Sequence, residues 1–180
     1  MLDRFNTLLQ SLLEWFIIAL MIGLTLVVIT AVLFRLSGNS LSWYDEVAAI
    51  QLSWITYYGA ALAALKRRHI GFDSVLLGLP MPWRMVGLVV AELIVFAFFI
   101  LMAWAGMTVL DVLEGEYLVS LTWVPIQFTQ SVIPVGAGLF ILCQALSLPF
   151  YWRMTAAGTS LEHAEIEEEV ETEMKKAGQS

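Results

Sequence analysis

The strongest constraint in this chain is where charge is missing: long apolar runs without an ionisable side chain are separated by short charged clusters. A helix of roughly 20 such residues rises about 30 Å, which matches the hydrocarbon core of a bilayer. Four segments meet the requirement. The first is Trp15 to Phe34, closed by Arg35 and the turn-forming Ser37-Gly38-Asn39-Ser40. The second, Val47 to Leu65, is entered through Trp43-Tyr44-Asp45-Glu46 and stopped by Lys66-Arg67-Arg68; acids suit a helix N-terminus and bases its C-terminus. The third runs from Trp83 to Val109, interrupted past Arg84 only by Glu92, with Pro82 where helices commonly start. The fourth lies within Tyr117 to Trp152, which is uncharged throughout and too long for one straight helix. It reads as one span from Pro125 to Leu148 with an apolar lead-in, the rival being two short spans separated near Pro134. On the single-span reading Pro134 kinks the helix, and the carbonyl it frees one turn earlier needs a neighbouring helix or a hydroxyl such as Ser131.

Composition carries the same message, with 59% hydrophobic and 14% charged residues and a mean hydropathy of +0.80, where soluble domains are about 25% charged. The formal charge of -7 is concentrated at the C-terminus: Leu161 to Ser180 holds seven glutamates against two lysines. Residues 1–154 therefore read as a four-helix transmembrane domain and 155–180 as an acidic tail, flexible or helical. No basic stripe for nucleic acid exists. Cys143 is the sole cysteine, so no intrachain disulfide or CxxC pair can form. The first apolar run exceeds the roughly 7–15 residues of a signal-peptide core and no small-residue cleavage site follows it, so it is expected to be retained.

Four crossings place Arg4, Lys66, Arg67, Arg68, Arg84, Arg153, Lys175 and Lys176 on one side and Arg35 alone on the other. The positive-inside rule then puts both termini and the Lys66 to Arg84 loop in the cytoplasm. Gly71 to Pro82 is apolar but too short to cross, and is expected to lie in the headgroup region.

Few side chains offer chemistry. His69 and His163 fall outside the spans, so no haem pair or activated nucleophile can be assembled at membrane depth, and no cofactor or metal is expected. Glu92, about nine residues or ~13 Å along its helix from Trp83, must be protonated, hydrogen-bonded or paired, because a charge at the bilayer centre costs ~2.5–3.5 kcal/mol on insertion scales. Gln51, Gln130 and Gln144 read as interhelical hydrogen-bond partners, and Gly59, Ala60, Ala61, Ala63 and Ala64 as a small-residue surface for close helix approach. Trp15, Trp43, Tyr44, Trp83, Tyr151 and Trp152 suit interfacial anchoring. The Lys66-Arg67-Arg68-His69 cluster with Asp73 is either a topology signal or a docking site.

Trp43-Tyr44-Asp45-Glu46, then Trp54, Gly59-Ala60, Lys66-Arg67-Arg68-His69-Ile70 and Asp73, with Ile133-Pro134-Val135-Gly136 in the last span, resemble the small membrane subunit of tripartite ATP-independent periplasmic (TRAP) transporters. The similarity covers roughly Phe5 to Trp152. It implies a non-catalytic subunit in the bacterial inner membrane, bound to a large multispanning permease subunit that carries the substrate and sodium sites. A periplasmic binding protein would deliver the solute, an organic acid such as a C4-dicarboxylate or sugar acid. Trp43, Glu46, Trp54, Gly59, Arg67, Arg68, His69, Asp73 and Glu92 become candidates for subunit contact or local structure. Lys66, Arg67 and Arg68 are candidates for lipid headgroups. The alternative from another class is a stand-alone four-helix channel or exporter, which should line a pore with polar groups; Glu92 alone does not.

Overall fold

A computed structural model of the chain describes residues 2–67, 80–158 and 174. Its helices are α1 (Leu2–Leu36), α2 (Tyr44–Leu65), α3 (Met81–Val112), the short α4 (Ile126–Gln130) and α5 (Val132–Ala157). Four stretches, with α4 and α5 counted together as Ile126–Ala157, are long and apolar enough to cross a membrane. This is an all-helical, multi-pass membrane architecture, and the last charge-free run supplies one span rather than two.

The helices are packed as the pairs α1 with α2, α2 with α5, and α5 with α3, giving the lateral order α1, α2, α5, α3. Burial follows from that order. In α5, which lies between two partners, 39% of the most apolar window is buried, against 6% in α1, whose principal neighbour is α2. The buried positions Val132, Gly136, Phe140, Cys143 and Ser147 recur every three or four residues and form one face of α5. Leu13, Ala61, Ala64, Phe140 and Cys143 make the core, with Tyr58 and Phe99 packed against it. Phe99 stacks on Phe140 at 3.6 Å between centroids.

Hydrophobicity cannot drive helices together inside lipid, so close backbone approach has to do it. It occurs where glycine removes a side chain. A Cβ at Gly136 would lie 2.7 Å from the Tyr57 Cβ, and one at Gly106 would lie 2.9 Å from Ile133 Cγ2 and Pro134 Cδ. The small-residue surface expected on α2 is realised at Ala61 and Ala64, both fully buried. At Gly59 a Cβ meets nothing within 4 Å among the described residues, so of the two partners the small-residue surface left open, a sister helix or another chain, no helix of this chain approaches it closely.

Helix ends follow local chemistry. Pro80 caps α3 and proline occupies its first turn, as Pro82 predicts. α5 continues through Pro149, past the expected end at Leu148, and stops at Gly158, whose φ of 80° is the left-handed conformation that ends helices. Arg84 of α3 donates to the Thr155 carbonyl at 3.5 Å, placing a cation at that C-terminus. The break near Pro134 falls at Ser131, between α4 and α5. The Ser131 hydroxyl does not rescue the carbonyl that Pro134 leaves free, that of Gln130; it donates instead to Phe128 at 2.7 Å. The expected apolar lead-in is a tight hairpin: Tyr117 bridges Pro125, and the Leu118 N–H donates to the Val124 carbonyl at 3.1 Å. Most of the interfacial segment Gly71 to Pro82 and nearly all of the acidic tail lie outside the described residues.

Gly136→Ala should lower the midpoint of thermal unfolding in detergent, because overpacking against Tyr57 costs about 1–3 kcal/mol. Gly59→Ala should be neutral or stabilising by up to about 1 kcal/mol, since only helix propensity changes.

Candidate functional site

Polar side chains gather at two levels, one at each end of α2. The first is built on the turn that ends α2. The Lys66 N–H donates to Leu62 O at 3.0 Å and the Arg67 N–H to Ala64 O at 3.2 Å, while Arg67 takes a φ of 52°. Glycine or asparagine is usual in that conformation, which costs other residues roughly 1–2 kcal/mol. What the arginine gains is reach, because its side chain passes under the last turn of α2 toward α3 and α5.

There the guanidinium forms an ion pair with Glu92 of α3, both side chains being almost covered, at 9% and 12% exposure. Arg67 Nε donates to Ser147 Oγ at 2.8 Å and Nη2 to the Gln144 carbonyl at 3.3 Å. The cation also lies 4.6 Å from the centre of the Tyr151 ring. The second Glu92 oxygen accepts from Gln144 Nε2 at 2.8 Å. That contact fixes the Gln144 amide, since the reverse orientation would set its oxygen against a carboxylate, and it leaves Oε1 buried without a partner. The Ser147 hydroxyl accepts from Arg67 and has the carbonyls of Ala64 and Gln144, each at 3.0 Å, to donate to. Three helices are thus tied through one guanidinium. At the same level Lys66 pairs with Glu14 of α1, which also accepts from Gln10 at 3.0 Å. This second pair is about one-third exposed, so water and salt screen it and it adds little to stability.

The ion pair revises the depth of Glu92. Arg67 lies just beyond the end of α2, so its partner is level with that end rather than near the bilayer centre. From Glu92 to Val112 α3 rises about 30 Å, one hydrocarbon thickness. The lipid-headgroup expectation also changes: Arg67 is turned into the bundle, Lys66 is engaged by Glu14, and Arg68 lies outside the described residues, as do His69 and Asp73.

The second level is at the start of α2. Trp43 is its N-cap residue. Glu46, in the first turn, accepts from the backbone N–H groups of Val119 and Ser120 at 3.2 and 3.0 Å, and Ser120 Oγ donates to Ser42 O at 2.9 Å. Arg35 of α1 donates to the Tyr44 hydroxyl at 2.9 Å, and Gln127 to Leu110 O at 2.9 Å. Deeper in, Trp54 Nε1 donates to the Thr129 carbonyl at 3.1 Å, beside the α4–α5 break, and its ring packs on Phe16, Tyr58 and Phe128.

Gln144, Ser147 and Tyr151 join the Arg67 cluster although the sequence reading gave the first a packing role, the last an anchoring role and Ser147 none. Their spacing at i, i+3 and i+7 on one helical face was the available signal. Among the described residues no group of three His, Cys, Asp or Glu side chains converges to hold a metal.

Four spans clamped by polar groups at both ends and packed by small residues between define a multi-pass membrane protein built to hold helices in fixed relation. Residues 24–149 match the family model described as tripartite ATP-independent periplasmic transporters, DctQ component. The chain belongs to that family and is a small permease subunit of a TRAP transporter, associated with other components of such a system. The matched region contains Glu46, Arg67, Glu92, Gln144 and Ser147. No individual curated protein matches the chain.

Glu92→Ala should destabilise the chain by about 3–5 kcal/mol by leaving Arg67 buried and unpaired. The double change Arg67→Met with Glu92→Leu should recover most of that loss, because a buried pair is often replaceable by apolar groups. Unfolding midpoints in detergent for the two singles and the double give the coupling.

Proposed function

We propose that this subunit acts as a non-catalytic, cofactor-free scaffold for a large multispanning permease subunit in the bacterial inner membrane. On this reading its termini and the Arg67 level face the cytoplasm and the Glu46 level faces the periplasm. The transporter would take up an organic acid, such as a C4-dicarboxylate or sugar acid, with sodium, after delivery by a periplasmic binding protein. Substrate and sodium would be held by the large subunit.

One observation carries the reading: Glu92, the acid in the body of α3, is committed to a partner of its own chain. Glu92 is held by Arg67 and Gln144, and Arg67 by Glu92, Ser147 and Tyr151. A coupling carboxylate has to exchange its partner for an ion or proton during the cycle, whereas a carboxylate closed in an ion pair supports a fixed wall. The eight-to-one basic asymmetry supports the orientation.

Reconstitution tests it. Proteoliposomes with both membrane subunits and the binding protein should show sodium-dependent organic-acid uptake, and vesicles with this chain alone should show none. Glu92→Ala should reduce recovery of the two-subunit complex, with recovery restored by the Arg67→Met, Glu92→Leu double. Solute movement through the chain alone would overturn the scaffold reading in favour of a stand-alone channel.

A further inference from the structure

The hairpin between α3 and α4 carries two strongly exposed apolar side chains at opposed positions: Val119 at 87% and Trp123 at 77%. The Tyr117 to Pro125 bridge and the Leu118 to Val124 hydrogen bond set a register in which residue 119 faces residue 123 across the turn. The backbone beneath them is fixed. Val119 and Ser120 are held by Glu46, Ser120 is held again through Ser42, and the Val124 N–H closes on Leu121 O at 2.9 Å. Two apolar groups are therefore presented without the freedom to fold back.

Their depth is set by the same contacts. Glu46 immediately precedes the apolar run of α2, so its carboxylate sits at the edge of the hydrocarbon, and Val119 is hydrogen-bonded to it at 3.2 Å. Exposed apolar side chains of α3, Trp104 at 71% and Val112 at 77%, precede the hairpin in the chain. Such side chains on a helix long and apolar enough to cross a membrane suit contact with lipid. We propose that the hairpin is itself a membrane-binding element, with Val119 and Trp123 seated among the lipid headgroups and uppermost acyl carbons of the leaflet on the Glu46 side. An indole suits that layer, with an apolar ring for the chains and an N–H for the headgroups. The exposed Glu114 and Glu116 at the approach to the hairpin oppose deeper entry. The inference needs only a multi-pass membrane protein and stands apart from the transport reading.

Cys143 is fully buried, so a surface cysteine can be labelled selectively. Val119→Cys, Trp123→Cys and, as a water-exposed reference in the α1–α2 turn, Asn39→Cys would each carry a nitrobenzoxadiazole label. The full chain, purified with the transporter subunits that accompany it, would be placed in nanodiscs. At 119 and 123 emission should be bluer than at 39, more than halved by lipid spin-labelled near the top of its acyl chain, and little affected by aqueous iodide. Quenching by iodide equal to that at 39 would place the turn in water and overturn the proposal. Protection from both quenchers would mean that protein covers it, which overturns it equally. If a labelled variant does not fold, the wild-type minus Trp123→Phe emission difference, read with brominated against plain lipid, gives the same decision.

Discussion

A guanidinium has five donors and cannot shed its charge in a protein, so burying one is tolerable only if the charge is paired and its donors find acceptors. Arg67 meets this with a carboxylate, a hydroxyl and a carbonyl for three of the five donors, and with an aromatic face for the cation, all drawn from α3 and α5. The geometry is demanding enough to set other features of the fold. It requires the left-handed backbone at Arg67, where a smaller residue would otherwise be preferred. It requires Glu92 to be level with the end of α2, and it requires α5 to present Gln144, Ser147 and Tyr151 on one face. Such a pair adds little net stability over an apolar replacement, yet breaking it on one side is costly, so its effect is to fix relative position.

With charge confined to the two ends of α2, the middle of the bundle is left to packing. The three interior contacts of the lateral row do not use the same means. Glycine against a bulky neighbour serves α2–α5 and α3–α5, through Gly136 with Tyr57 and Gly106 with Ile133 and Pro134. Between α1 and α2, Gly23 admits the Gln51 amide, while Phe16 meets Tyr58 edge to face at 4.9 Å. Each glycine lies opposite a side chain that would otherwise hold the backbones apart, and the dispersion contacts so gained replace the hydrophobic driving force that lipid removes.

The spans were legible in the sequence because a bilayer penalises charge over a fixed length, and that rule leaves few readings of Trp15 to Phe34 or Val47 to Leu65. Helix ends with a local cause, such as Pro82, were legible too. What depended on tertiary geometry was not. The position of Glu92 along its own helix made it look deep, and only the pairing with Arg67 sets it level with the end of α2. Arg67 itself read as part of a basic cluster that was either a topology signal or a docking site, since nothing local announces that a side chain at a helix end will turn inward. The hairpin at Tyr117 to Pro125 was hidden by its own apolarity, because alternation and turn residues are weak there. Its anchor, Glu46, lies in another part of the sequence. Gly59 looked like the other small residues of α2, and its helical face alone decided that no neighbouring helix of the chain packs closely on it.

The two polar levels also explain why the shortest of the four spans governs the frame. α2 has 22 residues, about one bilayer thickness, whereas α1 and α3 have 35 and 32. A long apolar helix can slide or tilt to accommodate mismatch at small cost. α2 cannot, because Glu46 is tied to the hairpin at one end and Arg67 to Glu92 at the other. Any change in the tilt of α3 would have to stretch the hydrogen bonds of Glu46 or open the ion pair, and both are short, directional contacts. A row of helices pinned at both ends of α2 resists shear, as the proposed scaffold role would need.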